Sequence, residues 1–192
     1  MGNFNKSLKI HFGSYLISCL PSYINTVFFS LNELTIIVPS THLAKVLLFL
    51  KGDLSSQFKS FIDLTAVDYP ENRKRFEIVY ILLSKKFNAR IRVKSHVNEI
   101  SPIKSVSGFY ACANWPEREV WDMFGIPFFK HPDLRRLLTD YGFDGHALRK
   151  DFPLNGFASV RYDDTQKMVL YEGVELSQEL RNYNFRSPWN NN

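Results

Sequence analysis

Hydrophobic and polar positions follow two different periods along this chain. Apolar residues at helical spacing predict two amphipathic helices, one that ends before Pro21 and one that spans Leu43 to Leu50. Over residues 90–97 basic and apolar residues alternate, which predicts a strand with one basic face and one face in the core. The nearly continuous apolar run over 76–83 predicts a strand that is buried on both faces.

Shorter runs complete the predicted order of elements. Further strands are predicted at residues 27–30, 34–38, 61–69, 157–162 and 167–171. The first two of these strands are expected to flank a turn at Asn32-Glu33, and the last two are expected to form a hairpin.

The stretch from Asn114 to Gly125 predicts a well-specified helix. Asn114 is expected to cap its start, with Glu117 completing a capping box three residues later. Arg118 and Asp122 are four residues apart and are expected to pair, an interaction worth only about 0.3–0.5 kcal/mol. Gly125 is expected to end the helix.

The run from His131 to Leu154 has no usable period after its first residues. A short helix is expected to begin at Pro132, but glycines and a proline interrupt the rest. Ordering a residue costs about 1–2 kcal/mol of backbone entropy, so this run must stay mobile or lie on another surface. Its aromatic residues and its charges of both signs favour the second outcome, a docking arm ordered by a partner.

These elements predict an α+β fold. The expected architecture is a compact domain with a mostly antiparallel sheet and its helices on one side, followed by an extended, largely irregular C-terminal arm. We expect an N-terminal helix region over 1–25, a globular domain over 26–130, and a docking arm with a short hairpin over 131–192.

Composition limits the kinds of partner and the cellular compartment that this chain is expected to have. The net charge of +5 permits acidic partners or nucleic acid and decides neither, while 17 phenylalanines in 192 residues indicate apolar surface that faces a partner. Cys19 and Cys112 lie far apart and predict no disulfide framework, which is typical of a reducing compartment.

No apolar run is long enough to span a membrane. Residues 1–9 lack arginine and resemble no transit or signal peptide, so we expect the chain to act where it is made.

The spacing of residues gives little evidence for a catalytic site or a ligand-binding site. His131 and His146 share one segment and could bind a metal with Asp140 or Asp144, although hydrogen-bonded or interfacial histidines are favoured. An iron–sulfur cluster would need about four thiolates, and only two cysteines are present. There is no glycine-rich phosphate loop, and no nucleophile has an evident activating partner.

Charge patterning favours a protein–protein interface over a nucleic-acid surface. Basic groups occur at 73–75, 85–86, 90–94 and 149–150, so an RNA-binding or ribosome-associated protein is the alternative. Acidic residues are interleaved in the segment after 131, and mixed signs are typical of protein partners. The candidate interface residues are Arg118, Glu119, Asp122, His131, Asp133, Arg135, Arg136, Asp140, Tyr141, Phe143, His146, Arg149, Lys150, Asp151 and Trp189.

Residues 117–125, which read Glu-Arg-Glu-Val-Trp-Asp-Met-Phe-Gly, resemble the hallmark of the 30-kDa subunit family of respiratory complex I. The same family pattern is matched at residues 67–70, 75–77, 90–93, 131–136, 140–143, 148–154, 161–163 and 187–189. The match is highly specific and begins at about Thr26. It departs from the family at Ala147, where proline is usual, and in the lack of the long presequence that nuclear-encoded members carry.

The resemblance implies a non-catalytic core subunit of the peripheral, matrix-side arm of NADH:ubiquinone oxidoreductase. Such a subunit braces the quinone-reducing module, in an enzyme that couples electron transfer from NADH to ubiquinone to proton pumping. Its implied partners are the large quinone-site subunit and neighbouring iron–sulfur subunits, which with other subunits hold FMN, iron–sulfur clusters and ubiquinone. No catalytic, cofactor or metal residue is expected in this chain, no nucleic acid is expected as a partner, and the membrane is contacted only through the complex. A mitochondrial inner-membrane location with a mitochondrial gene is expected, and a bacterial origin is the alternative.

Overall fold

The computed structural model describes residues 2–30, 33–179, 181, 183 and 189. The predicted turn residue Asn32 and the family-like Ser187-Pro188 lie outside the described residues. The α-helices in the described ranges are α1 (Gly2–Cys19), α2 (Leu43–Gly52) and α3 (Asn114–Phe124), and a short 3-10 helix spans Ala111–Ala113. The strands there are β1 (Thr26–Ser30), β2 (Glu33–Ile37), β3 (Ser60–Asp68), β4 (Phe76–Ser84), β5 (Ala89–Val97), β6 (Ile103–Lys104), β7 (Phe128–Phe129), β8 (Ala158–Asp163) and β9 (Met168–Gly173).

A five-stranded sheet in the order β1-β2-β5-β4-β3 forms the centre of the fold. Its pairs are antiparallel except β2 with β5, so the predicted mostly antiparallel sheet is confirmed. The apolar strand β4 lies between two neighbours, with Phe76 opposite Val97 on one side and Asp68 on the other. Its central position explains its nearly continuous apolar sequence.

The three helices pack on one face of this sheet, as predicted. Leu43, Leu47 and Leu50 of α2 are fully buried in a single core cluster, which also contains Leu16 of α1 and Val120 of α3. Burying each such side chain contributes about 1.5–3 kcal/mol. Alternate residues of β4 complete the cluster from the sheet side: Phe76, Ile78, Tyr80 and Leu82.

The chain divides into two compact units, Met1–Phe152 and Pro153–Asn192. The first unit includes both the N-terminal helix and residues 131–152, for which we predicted separate boundaries after 25 and 130. Leu16 joins α1 to the common core, and hydrogen bonds join residues 131–152 to α3. Both regions are therefore held against the domain by contacts within this chain.

The second unit contains the predicted hairpin, formed by β8 and β9. The two strands pair in antiparallel register from Ala158 opposite Gly173 to Asp163 opposite Met168. Of the helices in the described ranges, none combines the length and the apolar character that a bilayer span requires.

Candidate functional site

The start of α3 differs from the predicted capping box. Ala113 occupies the N-cap position and makes no side-chain cap hydrogen bond, and Asn114 is already helical. The Glu117 side chain instead turns into the core, where its carboxylate accepts hydrogen bonds from Ser105 Oγ at 2.6 Å and Val106 N at 2.7 Å. A fully buried carboxylate needs donors of this kind, because burial without them is costly.

Glu117 lies in an apolar environment that disfavours its charge. Burial raises the pKa of its carboxyl to about 7, against the opposing effect of the hydrogen bonds from Ser105 and Val106. His131 Nε2 lies 3.7 Å from the carboxylate, and neither side chain is exposed. The Tyr80 hydroxyl is also buried, has no hydrogen-bond partner, and has its pKa raised by burial and then by the charge of Glu117.

We expect stability to fall as pH rises from about 4.5 to 7, because Glu117 must then ionise inside the fold. A carboxyl whose folded pKa is raised from 4.5 to about 7 contributes most stability below its unfolded pKa, and loses it as pH passes the folded value. The shift corresponds to about 3 kcal/mol between pH 4.5 and 8. Urea unfolding across this pH range gives the free energy of unfolding of the wild type and of Glu117→Gln. The difference between the two free energies should shrink to near zero at low pH. Equal pH slopes for the two proteins would contradict the assignment.

Asp122, on the buried side of α3, holds the backbone of the following segment. Its Oδ2 accepts hydrogen bonds from the backbone N–H groups of Leu137, Leu138 and Thr139 at 2.7–3.1 Å, and Oδ1 accepts one from Thr139 Oγ1 at 2.7 Å. Burial favours the neutral form, but these hydrogen bonds outweigh it and hold the pKa of Asp122 below its usual value. We call residues 131–152 the anchored segment.

The predicted helix at Pro132 is wrong, and Asp122 supplies the reason. The N–H groups of residues 137–139 bond to one carboxylate rather than to carbonyl groups four residues earlier, so a helix cannot form there. Arg118 donates to the carbonyl groups of Arg135 and Arg136 at 3.2 and 3.3 Å. The predicted Arg118–Asp122 pair is absent from the ion pairs of the described residues, because each side chain serves the anchored segment instead.

The C-terminal end of α3 is joined to the same segment. Gly125 ends the helix in the left-handed conformation, with φ of +73°, as predicted. Arg149 Nε donates to the Phe124 carbonyl at 2.6 Å, and His146 Nδ1 lies 2.9 Å from the Asp122 carbonyl oxygen. The last carbonyl groups of a helix lack partners within it, so a cationic arginine is favourable there.

A second anchor fixes the end of the segment to the sheet. Arg75 makes two hydrogen bonds to Asp68, at 2.7 and 2.8 Å, and the Asp68 side chain is fully buried. Asp68 also accepts a hydrogen bond from the backbone N–H of Lys150 at 2.8 Å, and Arg75 pairs with Asp151 at 2.9 Å. The hydrogen bonds of Arg75 hold the pKa of Asp68 below its usual value, despite burial.

The predicted interface residues fall into three groups by exposure. Arg118 and Asp122 are buried and bonded within this chain. A second group is partly buried against the domain: His131, Arg136, Phe143, His146 and Arg149. The exposed group consists of Glu119, Asp133, Arg135, Asp140, Tyr141, Lys150, Asp151 and Trp189. That these exposed residues meet a partner stays a prediction. Arg118 and Asp122 hold the backbone of residues 135–139, which includes the exposed Arg135.

The hairpin of the second unit carries an exposed apolar face. Val160 lies opposite Tyr171 and Tyr162 lies opposite Val169, so all four side chains share one face. Each of them is more than half exposed, at 54–63%. The other face mixes polar residues with Met168 and Leu170, and it includes the ion pair of Arg161 with Glu172 at 2.8 Å.

The predicted basic face of β5 is largely paired within the sheet. Arg92 forms an ion pair with Glu33 at 2.6 Å, and Lys94 forms one with Glu77 at 2.7 Å. In the described ranges, His, Cys, Asp and Glu side chains nowhere gather in threes that could hold a metal ion. His131 and His146 make the hydrogen bonds to backbone carbonyl groups of α3 that a structural role requires.

Sequence reasoning assigned no anchoring role to Asp68 and Arg75, although both lie in runs that match the family pattern, and it did not single out Ser105 or Val106 as partners of Glu117. The partners of these residues are distant in sequence. Lys150, for example, bonds to a residue 82 positions earlier.

Comparison with known proteins shows the same family throughout. The family model of the "Respiratory-chain NADH dehydrogenase, 30 Kd subunit" matches residues 36–158. The chain is 54% identical over 185 residues to NADH-ubiquinone oxidoreductase subunit 9 of Reclinomonas americana, covering 96% of this chain and 90% of that one. It is 55% identical over 158 residues to a subunit of the NADH-quinone oxidoreductase of a Chelativorans species, covering 82% and 79%.

A solved structure shares the fold. A chain in the membrane-bound sulfane sulfur reductase, an archaeal respiratory membrane complex, superposes with a TM-score of 0.64 at 24% identity, covering 76% of this chain and 85% of that one. The family model spans most of this chain, and its matched residues include β3 to β7 and the whole anchored segment. The protein therefore belongs to the 30-kDa subunit family of the respiratory-chain NADH dehydrogenase, complex I.

Proposed function

We propose that this chain is a non-catalytic, bracing subunit of the peripheral arm of NADH:ubiquinone oxidoreductase, on the matrix side of the mitochondrial inner membrane. It holds together the quinone-reducing module, through contacts with the large quinone-site subunit and the adjacent iron–sulfur subunits. Electron transfer from NADH to ubiquinone, and the coupled proton pumping, then take place in other subunits of the complex. The mitochondrial relatives from Reclinomonas americana and Prototheca wickerhamii, at 54% and 51% identity, support this location.

The single observation that carries the proposal is the exposed apolar face of the β8–β9 hairpin. A two-stranded hairpin is at best marginally stable in water, so its apolar side chains must be covered by another surface. Val160, Tyr162 and Val169 are each more than half exposed in the chain by itself. Apolar and aromatic side chains are enriched at the centres of protein interfaces, which makes this face a docking surface for a neighbouring subunit.

The proposal places FMN, the iron–sulfur clusters and ubiquinone in partner subunits. It is supported by the cysteines, since Cys19 and Cys112 are both exposed, free and far apart in sequence. A cluster would require about four thiolates at one point. Visible absorption by a bound flavin or a stoichiometric cluster in the purified chain would contradict this part of the proposal.

Substituting the apolar face of the hairpin should block incorporation into the complex. We expect Val160→Glu to lower the amount of assembled enzyme at least about tenfold, because a carboxylate would be buried without a partner at the interface. The variant is expressed in cells whose own copy of the subunit is replaced by this chain. Native gel electrophoresis with staining for NADH oxidation measures the assembled enzyme.

Gln166→Glu is the matched control, since Gln166 is exposed in the turn between β8 and β9 of the same hairpin. It introduces the same charge and should leave the assembled enzyme near the wild-type level. The unfolding midpoint of the purified chain should be unchanged in both variants. Equal assembly of the two variants would overturn the docking role of the hairpin.

A further inference from the structure

A cavity of about 520 Å³ lies apart from the anchored segment, on the first unit. It is formed by the end of α2, the start of β3, the turn between β4 and β5, and the residues that precede α3. Four lysines line it: Lys51, Lys59, Lys85 and Lys86. Its aromatic lining consists of Phe61, Phe109 and Tyr110, and its described lining contains neither aspartate nor glutamate.

One of these lysines is held in place by the wall of the cavity. Lys51 Nζ donates to the Phe109 carbonyl and lies 5.1 Å from the centre of the Tyr110 ring. The Tyr110 hydroxyl in turn donates to the Phe58 carbonyl at 2.5 Å, which fixes the ring. The ammonium group and the aromatic surface are therefore positioned before any ligand arrives, which lowers the entropy cost of binding.

The charge around the cavity is uncompensated. None of the four lysines takes part in an ion pair among the residues that the structure describes, in contrast to Lys94 of the sheet, which pairs with Glu77. Like charges that converge on one space repel each other, and a bound anion relieves that repulsion. A ligand with several negative charges on one group gains most, because four lysines line the same space.

The residue types indicate what kind of anion fits. Lysine presents a compact charge with three donors, which suits a tetrahedral phosphate approached from several directions. The planar fork of arginine, which matches a carboxylate in two parallel hydrogen bonds, is absent from the described lining. The cavity is much larger than one phosphate, and its aromatic walls offer contact to an apolar or planar group.

We infer that this cavity binds a compound in which one or more phosphate groups are joined to an apolar or planar portion. Two sources share that chemistry, a soluble nucleotide and the headgroup of an anionic phospholipid. The inference is independent of the bracing role, since the cavity shares no residue with the hairpin face.

Calorimetric titration of the purified full chain with ATP, and co-sedimentation with vesicles, test the two sources. The vesicles consist of phosphatidylcholine with or without phosphatidylglycerol. We expect saturable binding in at least one arm, weakened by added salt because the contacts are ionic. Lys59→Gln and Lys86→Gln should each weaken it about fivefold, as the loss of one charge-assisted contact predicts.

Lys104→Gln is the matched control, because Lys104 is exposed and does not line the cavity. It should leave affinity unchanged, and unfolding curves should coincide for all three variants. Binding to ATP alone assigns a nucleotide, and binding to the phosphatidylglycerol vesicles alone assigns a lipid headgroup. Binding in neither arm overturns the inference. The inference is also overturned if Lys104→Gln weakens binding as much as the two cavity variants do. Equal affinity for a polyglutamate peptide and for the phosphate ligand overturns it too, since the chain would then respond to net charge alone.

Discussion

Asp122→Ala should release the anchored segment from α3 and destabilise the first unit by about 3 kcal/mol or more. The substitution removes the acceptor of four hydrogen bonds, three of them from consecutive backbone N–H groups at Leu137, Leu138 and Thr139. It also removes the carboxylate that lies 3.5 Å from Arg136 Nη1. The anchored segment is partly exposed, so water can replace some of these contacts, which limits the loss of stability.

Amide hydrogen exchange and urea unfolding measure this effect. The amide protons of residues 137–139 should exchange much faster in Asp122→Ala, and the unfolding midpoint should fall. Asp133→Ala is the control, since Asp133 is an exposed carboxylate in the same segment that pairs only locally, with Arg135 at 2.8 Å. It should change stability by less than about 1 kcal/mol. Unaltered exchange at residues 137–139 in Asp122→Ala would show that the segment is held by other contacts.

Gly125→Ala should have a comparable effect, of about 3 kcal/mol, for a steric reason. Gly125 has φ of +73°, and an added Cβ would lie 2.5 Å from both Arg149 Nη2 and His146 Nε2. These side chains bond the last turn of α3, through Arg149 to Phe124 and through His146 to Asp122. Both would have to move, so the substitution combines backbone strain with the loss of hydrogen bonds.

Gly142→Ala separates the two contributions. Gly142 has nearly the same φ, +72°, but an added Cβ there meets nothing within 4 Å. Its cost should be only the strain of the left-handed conformation, about 1 kcal/mol. Thermal or urea unfolding of both variants gives the comparison. Equal destabilisation would mean that the crowding by Arg149 and His146 relaxes at no cost.

Asp122→Ala and Gly125→Ala both bear on the proposed function, because both act on the anchored segment. The anchored segment presents exposed charged and aromatic side chains such as Arg135 and Tyr141, and the buried residues beneath it fix where those side chains lie. If the segment faces a partner subunit, its release should lower assembly of the complex even though Asp122 and Gly125 are themselves buried within this chain. The structure thus separates residues that hold a surface from residues that form it.

The sequence by itself determined the family and most of the regular elements, but not the short strands β6 and β7. The alternation in β5, the apolar run of β4 and the stripe of α2 reflect periods of two and 3.6 residues, which depend only on neighbouring positions. The hairpin β8–β9 and the end of α3 at Gly125 were predictable for the same reason. The family resemblance rested on contiguous motifs, and the family model that matches residues 36–158 confirms it.

Only the tertiary structure decided what the charged residues of α3 do. Arg118 and Asp122 have the spacing of a helix-surface pair, and Glu117 has the spacing of a capping residue. The structure turns all three inward, because the segment after 131 supplies backbone groups that need an acceptor or a donor, and residues 105 and 106 supply donors to Glu117. No local pattern encodes contacts between residues so far apart, since they arise when the chain folds back on α3. The irregular segment is thereby held by two buried charged side chains of α3, Arg118 and Asp122.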